Sequence, residues 1–178
     1  MTVPFSRRGN GFEEYIKVLR AVWGPDPVSF SGRFYRVPES KIGSKPLQPG
    51  GPPIIAGGHS PVAFERAGRI ADGLTLSVGG AVDASWEALN QRVNVFRNAA
   101  QAIGRNPDAL EIILRINRTI AEEPIKEPRL PLTGSVEQIV ADMPQLYSMN
   151  VNHIFFDMSF SQIPVDTQLR LERLQDAI

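Results

Sequence analysis

Four short apolar stretches, each followed by a segment with helical periodicity, restrict the folds open to this chain more than any other feature. The four strand–helix units span residues 53–71, 74–104, 110–149 and 152–178. Short apolar strands that alternate with helices are typical of a parallel sheet covered by helices. We therefore predict an α/β fold, and four such units amount to half of an eight-stranded (β/α)8 barrel.

The segment before the first unit is predicted to add a helix and a small inserted hairpin to a single domain covering 1–178. Helical spacing extends over about 11–23 with Asn10 as its N-cap, and a β-hairpin over 28–37 turns at Ser31–Gly32. Residues 38–52 are rich in Pro, Gly, Ser and Lys, which favours a connecting loop. A chain of 178 residues with 42% hydrophobic content can bury one substantial core.

The third unit carries the most detailed local signals. Apolar and polar residues alternate over 110–121, which predicts a strand with one polar face, and the proline-rich segment 122–133 predicts a loop. Ser135 and Gln138 have the spacing of a capping box, so a helix is expected to begin there. Pro144 is expected to kink that helix.

Charge and composition exclude several classes of function. Lys plus Arg equals Asp plus Glu at 19 each, so nothing in the charge favours nucleic acid or an acidic membrane surface. The chain has no Cys, which excludes a thiolate nucleophile, and its two His residues are far apart in sequence, which argues against a metal site. Without an apolar signal core or a long apolar run, the chain is expected in the cytoplasm, with a small molecule as its substrate.

The stretch 52–61, PPIIAGGHSP, predicts an anion-binding corner at the end of the first strand. Gly57 and Gly58 allow a tight turn, Ser60 suits an N-cap, and Pro61 fits the first position of the next helix. A helix start opened by glycines presents unsatisfied N–H groups together with the positive end of the helix dipole, and both attract phosphate. The alternative is a tight strand–helix turn that binds nothing.

The order of several motifs resembles the bacterial luciferase-like monooxygenase superfamily. The matching stretches are DPVSFSGRFY at 26–35, KPLQP at 45–49, PIIAGGHSP at 53–61, AGRIADG at 67–73, GRNPD at 104–108 and GSVEQI at 134–139. The resemblance implies an eight-stranded β/α barrel that uses reduced FMN or the deazaflavin coenzyme F-420 for hydride transfer or monooxygenation. It extends from about Pro4 to the end of the chain and covers the C-terminal part of the family's barrel.

That resemblance also limits which site residues can be assigned. Gly57, Gly58, His59 and Ser60 match the family's loop near the coenzyme phosphate, whereas the catalytic residues belong mostly to the half of the barrel that this sequence lacks and stay unassigned. The chain is expected to form a homo-oligomer or to pair with a chain that completes the barrel, because a half-barrel has two open edges. The alternative function is a non-catalytic half-barrel that dimerises or serves as a scaffold with a degenerate anion site.

Further candidates lie where barrel strands end, because active sites of this fold lie at that edge. Arg115 is expected to point into the barrel, where it either balances a phosphate or carboxylate or forms a structural pair with an interior acid. Asp157 is either a general base or a cap at its strand end, and His153, which begins its strand, is expected to have no catalytic role. The strand-end segments are 77–79, 117–119 and 157–159.

Overall fold

The first part of the chain forms a helix and a hairpin, as the sequence predicts, but with different bounds. The computed structural model describes residues 7–78, 85–118, 120–157 and 165–178. Helix α1 covers Arg8–Trp23, β1 covers Val28–Ser31 and β2 covers Arg36–Ser40. The prediction that Asn10 is the N-cap was wrong: Arg7 occupies that position without a side-chain capping bond, so α1 begins before Asn10.

A carboxylate from α1 sets the length of the hairpin turn. Glu14 accepts hydrogen bonds from the backbone N–H groups of Arg33, Phe34 and Tyr35 at 3.0, 2.7 and 2.7 Å. Those groups are therefore unable to pair with β1, and the second strand begins at Arg36 rather than at Arg33. Strands β1 and β2 are antiparallel, with Ser31 opposite Arg36.

Four further strands form a parallel sheet in the order β3-β4-β5-β6. Their bounds are Ile55–Gly57, Gly73–Val78, Glu111–Ile116 and His153–Phe156. Strand β5 is shorter than the alternating stretch 110–121 predicts, although Ile120 still forms an isolated bridge with Gly134. A parallel sheet with intervening helices confirms the predicted α/β class.

Helices follow the sheet strands in sequence and cover one face of the sheet. They are α2 over Pro61–Ile70, α3 over Trp86–Gln101, α4 over Val136–Ala141, α5 over Met143–Ser148 and α6 over Val165–Ala177. The capping box of Ser135 and Gln138 is confirmed at the start of α4. Pro144 is predicted to kink a single helix, but the structure has a break at Asp142 that separates α4 from α5 and places Pro144 in the first turn of α5. Within the described residues, no helix combines the length and apolar character needed to cross a membrane.

The two faces of the sheet differ in environment. On the helix-covered face, alternate side chains of β4 and β5 are almost completely buried with residues of α2 and α3. These strand residues are Leu74, Leu76, Val78, Ile112, Leu114 and Ile116. The opposite face carries Thr75, Ser77, Arg115 and Phe155, and Phe155 is 47% exposed. Within the described residues, this second face is therefore partly exposed and is called the open face.

The proline-rich loop after β5 is fastened to the helix that follows it. Arg129 and Asp142 form an ion pair whose side chains are only 10% and 9% exposed. The Arg129 guanidinium also donates to the carbonyl oxygens of Thr133 and Gln138, and Asp142 accepts the N–H of Leu132 at 2.8 Å. The loop therefore contributes buried polar contacts to the fold.

Candidate functional site

The corner between β3 and α2 has the local structure that its sequence predicts. Ser60 is the N-cap of α2, in an extended conformation, and its side chain accepts from the N–H of Ala63 at 3.4 Å. Pro61 occupies the first helical position, where its missing N–H has no cost. Gly58 is required because a Cβ at that position would lie 2.5 Å from the Cβ of Ala63. The two glycines thus bring the chain directly from the strand into the helix.

Several donors at this corner have no acceptor in the described part of the chain. The first turn of α2 satisfies the N–H groups of Ala63 and Phe64, which both donate to the Ser60 carbonyl oxygen. The N–H groups of Gly58, His59 and Ser60 have no such partner among the described residues. Unpaired N–H groups at the positive end of a ten-residue helix favour an anion over a cation or a neutral apolar group.

A cavity of about 410 Å³ adjoins this corner, between α1, the hairpin and the start of α2. The sequence does not indicate this cavity, because Phe12 and Tyr15 have the helical spacing of an apolar packing face. Both are partly exposed, at 39% and 43%, and both line the cavity. No sequence signal connects these aromatic rings with Arg7 and Arg66, which also line it, because the four residues meet only through packing of α1 on α2.

The two arginines at the cavity are held by different contacts. The guanidinium of Arg7 lies 4.8 Å from the ring centre of Phe34 and donates to the Phe34 carbonyl oxygen at 3.1 Å. Its Nε is buried and has no hydrogen-bond partner in the described structure. Arg66 lies with its Nε 3.4 Å from a carboxylate oxygen of Glu13. Nε of Arg66 is also buried without a hydrogen-bond partner, so both arginines retain hydrogen-bonding capacity beside the cavity.

An acidic residue next to the cavity is held in its charged form. Burial acts to raise the pKa of Glu14, but its three bonds from the backbone N–H groups of the hairpin and the nearby Arg7 outweigh burial, and the pKa lies below the ordinary value. At neutral pH this carboxylate fastens the hairpin to α1. The hairpin contributes the aromatic ring of Tyr35 to the wall of the cavity, and the position of that ring depends on this attachment.

The strand-end candidates are only partly described. Arg115 donates from Nε to Oδ2 of Asp157 at 2.8 Å and also from Nη2 to the same oxygen, which confirms the structural pairing with an interior acid. Ser77 lies beside Arg115 in the sheet register, and Asn117 follows two residues after it. Of the other predicted residues here, Gly79, Thr119 and Ser159 lie outside the described residues.

His153 is the first residue of β6, as predicted, and its side chain is exposed. It lies at the edge where the strands begin, whereas Gly57 and Asp157 lie where strands end. The structure thus places Gly57, Ser77, Arg115 and Asp157 toward one edge of the sheet, and His153 toward the other.

Comparison with known proteins identifies relatives along most of the chain. A family model described as luciferase-like monooxygenase matches residues 1–127. An F-420-dependent glucose-6-phosphate dehydrogenase from Amycolatopsis mediterranei (strain U-32) is 33% identical over 137 residues, which are 75% of this chain and 40% of that protein. An FMNH(2)-dependent dimethylsulfone monooxygenase from Pseudomonas putida is 42% identical over 60 residues, which are 34% of this chain and 16% of that protein. The chain thus spans less than half the length of these two curated relatives.

Solved structures with the same fold include a reductase and a monooxygenase. A coenzyme F-420-dependent tetrahydromethanopterin reductase from Methanopyrus kandleri superimposes with a TM-score of 0.77 at 13% identity, covering 96% of this chain and 62% of the reductase. The long-chain alkane monooxygenase LadA gives a TM-score of 0.70 at 14% identity, covering 98% of this chain and 56% of the monooxygenase. At these identities the match concerns the fold.

Proposed function

Because the chain belongs to the luciferase-like monooxygenase family, we propose that it forms the coenzyme-phosphate side of an FMN- or F-420-dependent oxidoreductase. The observation that carries the proposal is the corner of Gly57, Gly58, His59 and Ser60, where three N–H groups have no acceptor among the described residues and directly follow Gly57, which lines the cavity beside α1. The relatives of this family include enzymes named for each of the two coenzymes, so the choice between FMN and F-420 stays open.

The residues at the corner fit a phosphorylated coenzyme. Phosphate has several acceptor oxygens and a negative charge, and the start of α2 offers N–H donors and the positive end of a helix dipole. Arg7 would add a cation at the rim of the cavity, and Phe12 and Tyr15 offer apolar surface to the remainder of a coenzyme. Bound there, the coenzyme would supply hydride transfer or, as reduced FMN, monooxygenation of a small-molecule substrate.

The same proposal assigns a role to the open face of the sheet. In a (β/α)8 barrel the face without helices lines the interior, and β3 and β6 would each pair with a further strand. Those strands would come from another copy of this chain or from a chain that completes the barrel. A species heavier than one chain in light scattering supports this arrangement, and a monomer over the whole concentration range contradicts it.

A charge inserted at the corner tests the coenzyme site. His59→Asp places a carboxylate at the start of α2, where it interacts favourably with the helix dipole but repels a phosphate. We expect the thermal midpoint to hold or rise while the Kd for the coenzyme, followed by fluorescence quenching at low salt, increases at least about tenfold. FMN and F-420 are titrated separately, which also determines the coenzyme.

The control adds the same charge at the other edge of the sheet. Asn106 caps a single 3-10 turn over Pro107–Ala109, ahead of β5, and accepts from the N–H of Asp108. Asn106→Asp keeps that acceptor, so we expect unchanged coenzyme affinity. Equal weakening by both variants would show a general effect of charge. No quenching by either coenzyme at high micromolar concentration would favour the non-catalytic half-barrel.

A further inference from the structure

We propose that the outer surface of α2 and α3 is a two-fold interface through which this chain binds a second copy of itself. The surface surrounds a groove of about 450 Å³ between the two helices. Most of the residues that line the groove are exposed, and they lie on the helices rather than on the open face or the edge strands β3 and β6. The proposal therefore depends neither on the coenzyme site nor on completion of the barrel.

The groove combines small residues with protruding apolar ones. Ala99 and Ala102 line it and leave a depression, and Ile103 stands at its end with 53% of its surface exposed. Val62 lies one turn before Glu65 on the same side of α2 and is 58% exposed. Protruding side chains beside a depression allow two copies of this surface to interlock, and the apolar area that they bury favours association.

Two opposite charges lie on the same surface. Glu65 and Arg69 both line the groove, but Arg69 donates to Glu13 at 3.0 Å and leaves Glu65 without an ion-pair partner among the described residues. The Arg69 side chain is still 39% exposed, so part of its guanidinium stays accessible. A second copy of the chain offers the complementary charges, provided that Glu65 and Arg69 exchange places across a two-fold axis.

The packing of α2 on α3 fixes the relative heights of the residues along the groove. A Cβ at Gly68 would lie 2.1 Å from the Phe96 carbonyl oxygen and 3.1 Å from the backbone N of Ala100, so Gly68 is level with 96–100 of α3. The two helices run in the same direction, because each connects two neighbouring strands of the parallel sheet. Positions on both helices can therefore be measured from Gly68.

The charged pair and the apolar pair share one centre. With a rise of about 1.5 Å per residue, Glu65 lies about 4.5 Å before Gly68 and Arg69 about 1.5 Å after it. By the same measure, Val62 lies about 9 Å before Gly68 and Ile103 about 7 Å after it. The midpoints of the two pairs agree to within about 1 Å.

A two-fold axis that crosses the helices at this centre makes the surface complementary to itself. It places Glu65 opposite Arg69 of the second copy, and it brings Val62 to the level of Ile103 of the second copy. Each contact is then made twice, as in any two-fold interface. The charges thus select the antiparallel arrangement of the two helix pairs.

Reversing each charge separately tests this geometry. Glu65→Arg leaves only cations near the axis, and Arg69→Glu leaves only anions. Either variant alone should raise the Kd for self-association at least about tenfold in sedimentation equilibrium, because two attractive pairs become repulsive. In an equal mixture of the two variants, the cations of one chain face the anions of the other, so the mixture should associate about as tightly as the native chain.

Arg173→Glu is the matched control for Arg69→Glu. It makes the same change of charge and also removes an exposed ion pair, in which Arg173 lies 3.3 Å from Glu137. It should leave the Kd for self-association unchanged, and circular dichroism checks that all three variants keep the native fold.

Four outcomes would overturn the interface. A native chain that stays monomeric up to high micromolar concentration is the first, and self-association that neither variant weakens is the second, because the contact would then lie elsewhere, such as at the edge strands. Weakened variants that do not recover on mixing would show that Glu65 and Arg69 do not face each other. Equal weakening by Arg173→Glu would show a general effect of charge. The coenzyme titration is a separate measurement, so failure of the coenzyme site and failure of this interface can be told apart.

Discussion

Replacing Asp142 by Asn tests whether the loop after β5 depends on a buried ion pair. The substitution keeps the size of the side chain and one carbonyl oxygen, but it removes the negative charge opposite Arg129. In the native chain the Arg129 side chain is 10% exposed, and hydrogen bonding to Asp142, against the effect of burial, raises the pKa of Arg129 above its ordinary value. The guanidinium would therefore stay charged without a buried counterion.

The size of the effect follows from what the substitution leaves behind. Removing one partner of a buried pair costs about 3–5 kcal/mol, because the other charge stays desolvated. Glu127, at 2.9 Å from Nε of Arg129, still offsets part of that charge, although its own side chain is 67% exposed. We therefore expect a loss near the lower end, about 3 kcal/mol. With a urea m-value of about 2 kcal/mol/M, the unfolding midpoint should fall by about 1.5 M.

The measurement is urea unfolding followed by circular dichroism, with an exposed ion pair as the control. Arg173 and Glu137 lie 3.3 Å apart with side chains 66% and 70% exposed, and Arg173→Gln should cost less than about 1 kcal/mol. If Asp142→Asn cost no more than Arg173→Gln, the buried pair would not hold the loop, and the argument from burial would be wrong.

Two further predictions concern backbone contact and acid stability. In thermal unfolding, Gly68→Ala should destabilise the chain by about 1–3 kcal/mol, because the new Cβ would lie 2.1 Å from the Phe96 carbonyl oxygen. Gly11→Ala is the control. It should be neutral or stabilising in the same assay, because its Cβ meets only the flexible Arg7 side chain. The lowered pKa of Glu14 contributes stability that is fully present above its ordinary value of 4.5 and is lost as pH falls through the folded value. The urea midpoint of the native chain should accordingly fall more steeply below pH 4.5 than that of Glu14→Gln, and parallel curves would contradict the role of the hairpin bonds.

The sheet and its corner were predictable because their signals are local. Strand–helix alternation depends on side-chain spacing within a single element, and the N-cap at Ser60 and capping box at Ser135 depend on neighbours three residues away. The break at Asp142 is also local, since the ring of Pro144 prevents a continuous helix. The alternation and the caps agree between sequence and structure.

The features that the sequence did not reveal depend on distant contacts. The start of β2 was placed too early because Glu14, about twenty residues away, binds the N–H groups of the turn. The start of α1 was placed too late because Asn10 has the composition of a cap but lies inside the helix. The cavity beside Gly57 was missed for the same reason, since Arg7 and Arg66 meet it only in the folded chain.

Several polar groups at the edge where strands begin are bonded within the chain, although Nε of Arg97, whose Nη2 donates to the Asn150 carbonyl oxygen there, has no hydrogen-bond partner among the described residues. At the edge where strands begin, Arg105 donates to the carbonyl oxygens of Gly68 and Ala71 at 2.7 Å each, and Asp72 pairs with Arg20 and accepts the N–H of Ile54.

Donors and an acceptor are left over at the edge where strands end. These are the N–H groups of 58–60, Nη1 of Arg115 and Oδ1 of Asn117, none of which has a partner among the described residues. Of these groups only Oδ1 of Asn117 is buried, where folded chains satisfy nearly all of their polar groups, whereas the N–H groups of 58–60 belong to partly or fully exposed residues that a ligand can reach. His153 lies at the opposite edge, where β6 begins, and is therefore remote from these groups, whereas Gly57 lies directly beside the N–H groups of 58–60.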